Sequence, residues 1–247
     1  MQGVEEVVEQ GGFVFVSHSG GKDSQAMYLF LKKIVPSEQL FVIHADLGDV
    51  EWSGVKEHIQ ETVEEPIHYA KAIYADGKPK SLLNYVEKRG KWPSSAARFC
   101  TSDLKRDPIN KIIRRIMKEH GCTVAVNCMG IRAEESASRS KMVDWKQNKR
   151  LSNTKRLVYD WFPIFDWTEE QVFEFISVSN QSPHWAYAKG MKRLSCCFCI
   201  FADDKSLKLA AKMNPGLAEE YLHLEKKIGH DFKHRKPLHE ILSEPTM

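Results

Sequence analysis

The sequence of 247 residues predicts an α/β protein with a doubly wound, mostly parallel sheet and a small helical, cysteine-bearing C-terminal part. Two observations support this prediction. Up to about residue 165, short apolar runs bounded by turn residues alternate with helical patterns, and strands that alternate with helices form right-handed βαβ units. Beyond that point the pattern becomes helical, and three cysteines lie within residues 196–199.

The elements follow from these patterns in order. Buried strands are predicted at residues 13–16, 40–43 and 123–126, with a weaker candidate at 67–72. Helical patterns lie near residues 24–34, 53–62, 82–88 and 105–120. Thr168 followed by two glutamates is typical of a helix N-terminus, and further helices are predicted over residues 204–213 and 215–228. Residues beyond Asp231 are expected to form a basic, loosely ordered tail.

The most informative segment joins the first predicted strand to the first predicted helix. It consists of Ser19, Gly20, Gly21, Lys22, Asp23 and Ser24. A strand, a glycine-rich turn and a helix in this order aim backbone N–H groups and a helix N-terminus at one anion. Paired glycines let the backbone approach a phosphate, and the hydroxyls and the Lys22 ammonium add donors. The spacing is not that of a Walker loop, and a turn that only caps the helix is the alternative.

Composition places the chain among ordinary globular proteins. Hydrophobic residues make up 42% and charged residues 28% of the sequence. Residues 1–10 are acidic and no apolar segment follows them, so no secretory signal is expected. No apolar run is long enough to span a bilayer, and the expected location is cytoplasmic. A net charge of +3 is too small to argue for nucleic-acid binding by itself.

Basic residues concentrate in residues 141–156, where Asp144 is the one acid. They are Lys141, Lys146, Lys149, Arg150, Lys155 and Arg156. The polar composition of this segment predicts an exposed loop. Two interpretations stay open: a solvated surface, or a surface that binds substrate polyphosphate or an RNA or DNA backbone.

Six cysteines suggest metal or redox chemistry rather than a disulfide framework. They are Cys100, Cys122, Cys128, Cys196, Cys197 and Cys199. Cys196 and Cys199 have CxxC spacing and can bind one metal from a single turn, with Cys100 as a distant partner. Half of a zinc site, a redox pair and chance all remain open. Cys122 and Cys128 flank a predicted core strand and are expected to be small buried hydrophobes.

Polar residues follow two further predicted strands. Asp46 comes directly after the second strand, where a carboxylate can face adenosine or a metal-bound phosphate, and a turn aspartate is the alternative. Gly130, Arg132 and Arg139 follow the strand at 123–126. Two arginines at the carboxyl end of a strand suit bidentate binding of phosphate or sulfate, with surface salt bridges as the alternative.

Several segments resemble the PAPS reductase and ATP pyrophosphatase (PP-loop) superfamily, in its PAPS reductase-like branch. Residues 19–24 match the SGGxDS pyrophosphate loop, and residues 130–139 resemble G-[IL]-R-x-x-[EQ]-S-x-x-R. Residues 163–168 are similar to the PLxDWT signature, and Cys100 with Lys105 and Pro108 is similar to CCxxRKxxPL. These motifs cover roughly residues 13–203 in family order, and the resemblance implies a Rossmann-like PP-loop fold.

The resemblance also implies roles for individual residues. Lys22, Asp23 and Asp46 are the expected catalytic residues, with Asp23 or Asp46 placing Mg²⁺ beside ATP. The residues expected to bind the nucleotide are Ser19, Gly20, Gly21, Lys22, Asp23, Ser24, Asp46, Gly130, Arg132 and Arg139. Cys100, Cys196 and Cys199 are expected to hold an iron–sulfur cluster of the [4Fe–4S] type, with zinc or free thiols as alternatives.

The chain departs from the reductases of the superfamily in two places. Those enzymes carry a catalytic cysteine in a C-terminal ECG[IL]H segment, whereas no cysteine follows Cys199 in this sequence, and their second paired cysteine falls on Thr101. The intact SGGKDS favours ATP as the nucleotide. The expected activity is cleavage of the α–β bond of ATP, adenylation of an acceptor, and Fe–S-dependent sulfur transfer to a nucleic acid or a small molecule. A PAPS or APS reductase and a non-catalytic nucleotide-binding regulatory module are the alternatives.

Two parts of the chain are expected. Residues 10–165 would form the nucleotide-binding domain, and residues 166–247 a helical extension that carries the CxxC and is not independent. The expected partners are a nucleotide, a tRNA or DNA substrate bound through residues 141–156, and a sulfur-donor protein, with no membrane. The oligomeric state, including a homo-oligomer, is open.

Overall fold

The computed structural model describes residues 2–244, and within them six strands form one sheet. The strands are β1 (Phe13–Ser17), β2 (Leu40–Ala45), β3 (Ile67–Ala70), β4 (Val124–Met129), β5 (Trp145–Gln147) and β6 (Leu157–Trp161). Their order in the sheet is β3-β2-β1-β4-β6-β5. All neighbours pair in parallel except β5, which is antiparallel to β6. The predicted doubly wound, mostly parallel sheet is confirmed.

The two central strands, β1 and β4, are buried on both faces. Val14, Phe15 and Val16 have no exposed surface, as is typical of a parallel strand covered by helices on both sides. Val14 lies opposite Leu40 on β2 and Val126 on β4. The core of the sheet therefore lies around β1. The loop that follows β1 begins at the carboxyl end of this central strand.

Helices flank and follow the strands. They are α1 (Gln2–Glu9), α2 (Lys22–Lys32), α3 (Val55–Thr62), α4 (Leu82–Arg89), α5 (Phe99–Thr101), α6 (Asp107–Glu119), α7 (Glu169–Val178), α8 (Asp204–Met213), α9 (Pro215–Ile228) and α10 (Leu238–Ser243). A π-helical turn, Ser102–Arg106, joins α5 to α6. Among the residues described, no helix has the length and apolar character needed to cross a membrane.

Strands β5 and β6 lie where the sequence predicted no strand. Strand β5 lies inside the basic segment 141–156, so the prediction of a loop is wrong for its three residues. Trp145 of β5 stacks on Tyr159 of β6, with ring centroids 5.1 Å apart, and this aromatic contact holds the edge strand in place. Because β5 has only three residues and one covered side chain, its sequence carries no alternating pattern.

The tail beyond Asp231 is ordered as far as residue 244, which corrects the expectation of a loosely ordered end. Leu238 and Ile241 of α10 are fully buried. The buried carboxylate of Glu225 on α9 accepts hydrogen bonds from the backbone N–H groups of Phe232 at 2.6 Å and Leu238 at 2.8 Å. The last three residues of the predicted C-terminal part, 245–247, lie outside the described residues.

The described chain divides into two compact units, each built from three segments. The first contains the residues up to 45, 54–70 and 109–184, and therefore the whole sheet. The second contains residues 46–53, 71–108 and those from 185 onward. In the second unit Trp92 stacks on Tyr221 at 5.2 Å between ring centroids and meets Phe232 edge-on. The predicted boundary between residues 165 and 166 stays a prediction.

Candidate functional site

In the first unit, the predicted phosphate loop connects β1 to α2 with a backbone that suits an anion. Gly20 has φ of +77°, the left-handed region that favours glycine, and a Cβ there would lie 2.8 Å from Cγ1 of Val55. The Ser24 hydroxyl donates to the Gly21 carbonyl at 2.8 Å and accepts from the Ser19 N–H at 3.1 Å. Because α2 begins at Lys22, the N–H groups of its first turn lie at this loop.

His18, directly before the loop, makes a contact that the sequence analysis did not identify. Its Nδ1 accepts a hydrogen bond from the Gly20 N–H at 3.1 Å, and its side chain is buried. Burial, and after it the nearby imidazoles of His44 and His58, lowers the pKa of His18 to about 3. The ring is therefore neutral, with the proton on Nε2. The position of His18, two residues before the glycine pair, is the sequence signal that could have marked it as a hydrogen-bond acceptor.

Gly130 lies at the end of β4, against the start of α2. A Cβ on Gly130 would lie 2.8 Å from the Asp23 carbonyl oxygen, closer than real Cβ atoms come to other atoms, and 3.0 Å from the Ser24 nitrogen. The sequence predicted Gly130 as part of the site, and the structure places it against the loop. The reason for a glycine here is this close approach of two chain segments.

Five charged side chains form a connected group beside the loop, which we call the ion-pair network. Lys22 Nζ lies 3.1 Å from the Glu169 carboxylate and 3.4 Å from the Asp23 carboxylate. Arg132 Nε donates to Asp23 Oδ1 at 2.6 Å, and Arg132 also pairs with Glu134. Glu134 in turn accepts the backbone N–H of Glu169 at 2.7 Å. The network thus links the loop to the chain after β4 and to the start of α7.

The network explains where two predicted phosphate ligands lie in this structure. The side chains of Lys22 and Arg132 are only 2% and 4% exposed. Burial alone would lower the pKa of Arg132, but the hydrogen bonds and charges of Asp23 and Glu134 raise it above its ordinary value. Arg139 pairs with Glu135, four residues earlier in the chain. Both arginines therefore contact carboxylates, and their binding of a nucleotide stays a prediction.

Asp46, in the second unit, is the first residue after β2. Its Oδ1 accepts from the Gly48 N–H at 3.0 Å, and its Oδ2 lies 3.0 Å from Nζ of Lys71. The Asp46 side chain is 3% exposed, whereas that of Lys71 is 63% exposed. Asp46 is therefore both a turn aspartate and a buried carboxylate with an exposed cation beside it. Its catalytic role stays a prediction.

The three cysteines predicted to bind a cluster all lie in the second unit, within electrostatic reach of Lys105. Thiolate charge on Cys196, then on Cys199 and Cys100, raises the pKa of Lys105. Burial raises the pKa of Cys196 to about 11, although Lys105 opposes this shift. The described residues contain no group of three or more His, Cys, Asp or Glu side chains arranged to hold a metal ion.

The remaining cysteines, Cys197, Cys128 and Cys122, are buried or half-buried. The Cys197 N–H donates to the Val50 carbonyl at 2.9 Å, and burial followed by the charge of Cys196 raises the pKa of Cys197 to about 12. Cys128 is fully buried in β4 and Cys122 is half-buried; burial raises the pKa of both. These surroundings suit the expected role of Cys122 and Cys128 as small apolar side chains.

The basic segment 141–156 presents most of its cations to solvent. Exposed side chains that form no ion pair within the described residues are Lys141, Lys146, Lys149, Arg150 and Lys155. Arg156 is different, because its Nε donates to the Leu151 carbonyl at 2.5 Å. Five exposed cations are compatible with both interpretations of this segment, a solvated surface and a polyanion surface.

The fold and the loop define a doubly wound α/β protein with a glycine-rich turn between a central strand and a helix. The chain belongs to the phosphoadenosine phosphosulfate reductase domain family, whose family model matches residues 13–202. This confirms the resemblance that the sequence motifs indicated.

Curated relatives and a solved structure are similar to this chain. An uncharacterized protein of Methanocaldococcus jannaschii is 25% identical over 215 residues, which are 87% of this chain and 48% of the relative. An uncharacterized 37.8 kDa protein from the gpa 5′ region of Escherichia phage 186 is 32% identical over 120 residues, 48% of this chain and 34% of the relative. The chain thus spans half or less of these relatives. The crystal structure of a PAPS reductase from Candida auris, in a phosphate complex, has a TM-score of 0.49 and 14% identity, covering 78% of this chain and 87% of that one.

Proposed function

We propose that this protein is an ATP pyrophosphatase that adenylates an acceptor and supports sulfur transfer to it. The observation that carries the proposal is the loop of residues 19–24, in which a left-handed glycine and two hydroxyl side chains lie at the start of a helix that follows a central strand. Such a turn binds phosphate oxygens whatever the remaining chemistry is. The intact SGGKDS sequence favours the triphosphate of ATP over a sulfated nucleotide.

In the proposed reaction the loop holds the β- and γ-phosphates. An acceptor oxygen attacks the α-phosphorus, the bond from this phosphorus to the α–β bridging oxygen breaks, and pyrophosphate leaves with its charge on the loop N–H groups and Lys22. Lys22 would exchange its carboxylate partners for phosphate oxygens. Oδ2 of Asp23 would then be available to bind Mg²⁺ while Oδ1 keeps its bond to Arg132, since carboxylate oxygens are the donors this ion prefers, and the ion would neutralise charge on the leaving pyrophosphate.

The second unit supplies thiols, the donor type that iron–sulfur clusters use, although the described residues contain no group of three or more such side chains arranged to hold a metal ion. Cys100, Cys196 and Cys199 supply three sulfur donors within electrostatic range of the Lys105 ammonium, which favours an anionic centre. These residues would hold an iron–sulfur cluster, which would supply iron for binding sulfur; zinc is the alternative. A sulfur nucleophile that displaces AMP from the adenylated acceptor completes the transfer, and the acceptor is a nucleic acid or a small molecule.

Pyrophosphate release and iron content, measured on anaerobically purified protein, test the two halves of the proposal separately. Asp23→Ala should abolish pyrophosphate release from ATP and leave visible cluster absorbance unchanged. Cys100→Ser and Cys199→Ser should remove the absorbance. Cys122→Ser is the matched control and should alter neither property. A colourless, zinc-bound protein that is inert to ATP with every acceptor offered would overturn the proposal.

Membership of the family favours one second candidate, a sulfonucleotide reductase. This activity predicts sulfite release from PAPS or APS without cleavage of ATP. Assaying sulfite and pyrophosphate in parallel separates the two, because only the reductase forms sulfite when ATP is absent.

A further inference from the structure

A cavity in the second unit is lined by cations and lies beside the cysteine that was predicted as a metal ligand. Its volume is about 520 Å³, and its lining includes Arg89, Arg98 and Arg106, the hydroxyl residues Thr101 and Ser102, and one acid, Asp103. Cys100 lies in the chain between two lining residues. The three arginines give the cavity a positive charge that one carboxylate does not balance.

Aromatic rings are interleaved with these arginines. The Arg89 guanidinium lies over the Phe99 ring at 4.5 Å and over the Tyr85 ring at 5.3 Å. The Arg98 guanidinium lies over the ring of Phe201 at 5.0 Å, and Phe201 is 47% exposed. A stacked guanidinium can still donate from its N–H edge to oxygen acceptors; Arg89 Nη1 already donates to the Tyr85 hydroxyl at 3.0 Å, which leaves its other N–H groups for a ligand.

The same pattern continues along α4 and the loop before it. Lys80 Nζ lies 4.6 Å from the centre of the Tyr85 ring, and Lys80 and Lys88 lie 5.1 Å and 4.8 Å from the centre of the Tyr74 ring. The Asp103 carboxylate accepts a hydrogen bond from the Tyr85 hydroxyl at 2.6 Å.

Charge neutralisation on this surface is incomplete. Arg106 has a carboxylate partner, Asp107, at 3.2 Å. In the described part of the chain, by contrast, no ion pair is formed by Lys80, Lys88, Arg89 or Arg98. We name the set Tyr74, Lys80, Tyr85, Lys88, Arg89, Arg98, Arg106 and Phe201 the cation–aromatic surface.

We propose that the cation–aromatic surface binds a single-stranded nucleic acid, with a backbone phosphate in the arginine cavity and a base on an exposed ring. The inference deepens the proposed function, on which it rests, by naming the class of acceptor. Cations spread over two helices and a loop match a chain of phosphates better than one small anion. The exposed Phe201 ring favours an unstacked base, which a duplex does not offer.

Fluorescence anisotropy with labelled single-stranded RNA and DNA of mixed sequence tests the proposal, in the absence of ATP. Arg98→Ala and Arg89→Ala should each weaken binding on the order of tenfold, and each should reduce the slope of log K against log salt by about 0.7 per lost phosphate contact. Phe201→Ala should weaken single-strand binding on the order of tenfold, whereas Phe201→Tyr, which keeps a ring, should retain it. Binding of single-stranded RNA or single-stranded DNA supports the proposal. The nucleic acid that binds more tightly shows whether the surface prefers ribose or deoxyribose.

Matched controls keep the result interpretable. Arg115→Ala removes an exposed arginine of α6 outside the surface and should leave binding unchanged. Arg150→Ala removes an exposed cation of the segment 141–156. Loss of binding in Arg150→Ala together with normal binding in Arg89→Ala and Arg98→Ala would overturn the proposal, as would no binding to either strand by the unaltered protein. Thermal melts followed by circular dichroism identify variants that fail to fold.

The two proposals fail separately. Strand binding is measured without ATP, so its absence says nothing against pyrophosphate release. Normal strand binding by a protein that never releases pyrophosphate would overturn only the proposed function.

Discussion

At the residue scale, the space at Gly130 is set by the first turn of α2, whose Asp23 carbonyl would lie 2.8 Å from an added Cβ. Gly130→Ala should therefore push the loop away from β4, lower the free energy of unfolding by about 1–3 kcal/mol, and weaken the proposed binding of ATP. Urea denaturation and calorimetric titration with ATP measure the two effects.

Gly216→Ala is the control for this change. A Cβ on Gly216, in α9, would meet no atom within 4 Å, so alanine should be neutral there or stabilise the helix by up to about 1 kcal/mol. Equal effects of the two substitutions would contradict the steric explanation.

His18 predicts a pH dependence of stability. The pKa of His18 is about 3 in the folded protein and near 6.5 when unfolded, so between these values only the unfolded state binds the proton. Stability is full above about pH 6.5 and falls as pH decreases toward 3, by about 2 kcal/mol between pH 7 and pH 5. His58, with a pKa of about 4, adds a smaller effect of the same sign because it is less buried.

Urea denaturation at several pH values from 5 to 7 measures this slope. His18→Asn keeps a hydrogen-bond acceptor for the Gly20 N–H and cannot titrate, so the slope should become shallower. An unchanged slope in this variant would show that other groups cause the pH dependence.

At the scale of elements, one carboxylate holds the last two helices together. Glu225→Gln replaces a two-oxygen acceptor that serves the Phe232 and Leu238 N–H groups, and should lower the free energy of unfolding by about 1–3 kcal/mol. Glu219→Gln, on an exposed position of α9, should change it little. Similar losses in both variants, measured by urea denaturation, would contradict a special role for Glu225.

Elements with local end signals were predicted well. Helix α8 begins after Asp203, whose side chain accepts the Ser206 N–H at 2.7 Å, and α9 has Pro215 at its start and Gly229, with φ of +61°, at its end. Such caps depend on neighbours in sequence, so the predicted bounds of both helices agree with the structure. Strands β5 and β6 escaped prediction because they are defined mainly by pairing with each other and with β4.

The candidate site was predictable only in part, for the same reason. The loop of residues 19–24 is contiguous, and its glycine pair marks it directly. The bond between Arg132 and Asp23 joins residues 109 positions apart, and no local pattern states that a predicted phosphate ligand contacts a carboxylate instead. The cation–aromatic surface was missed because its members, from Tyr74 to Phe201, come from separate elements.

At the scale of the whole molecule, the described chain interleaves two units. The second unit consists of residues 46–53, which lie between β2 and α3 in the sequence, residues 71–108, which lie between β3 and β4, and the residues from 185 onward. The predicted cluster ligands come from two different segments of the second unit. Cys100 lies in residues 71–108, and Cys196 and Cys199 lie in the segment from residue 185 onward. The thiols can assemble only when the later segment has folded against the earlier one.

The stacking of Trp92 on Tyr221 has a consequence for biosynthesis. Ribosomes add roughly 5–20 residues per second, so Trp92 emerges on the order of 10 s before Tyr221 and Phe232, the rings that pack against it. During that interval a nascent chain carries a large apolar side chain without these neighbours, a condition that favours capture by chaperones or association between nascent chains. Slower translation would lengthen that interval, so the yield of folded protein should depend on the rate of synthesis as well as on final stability.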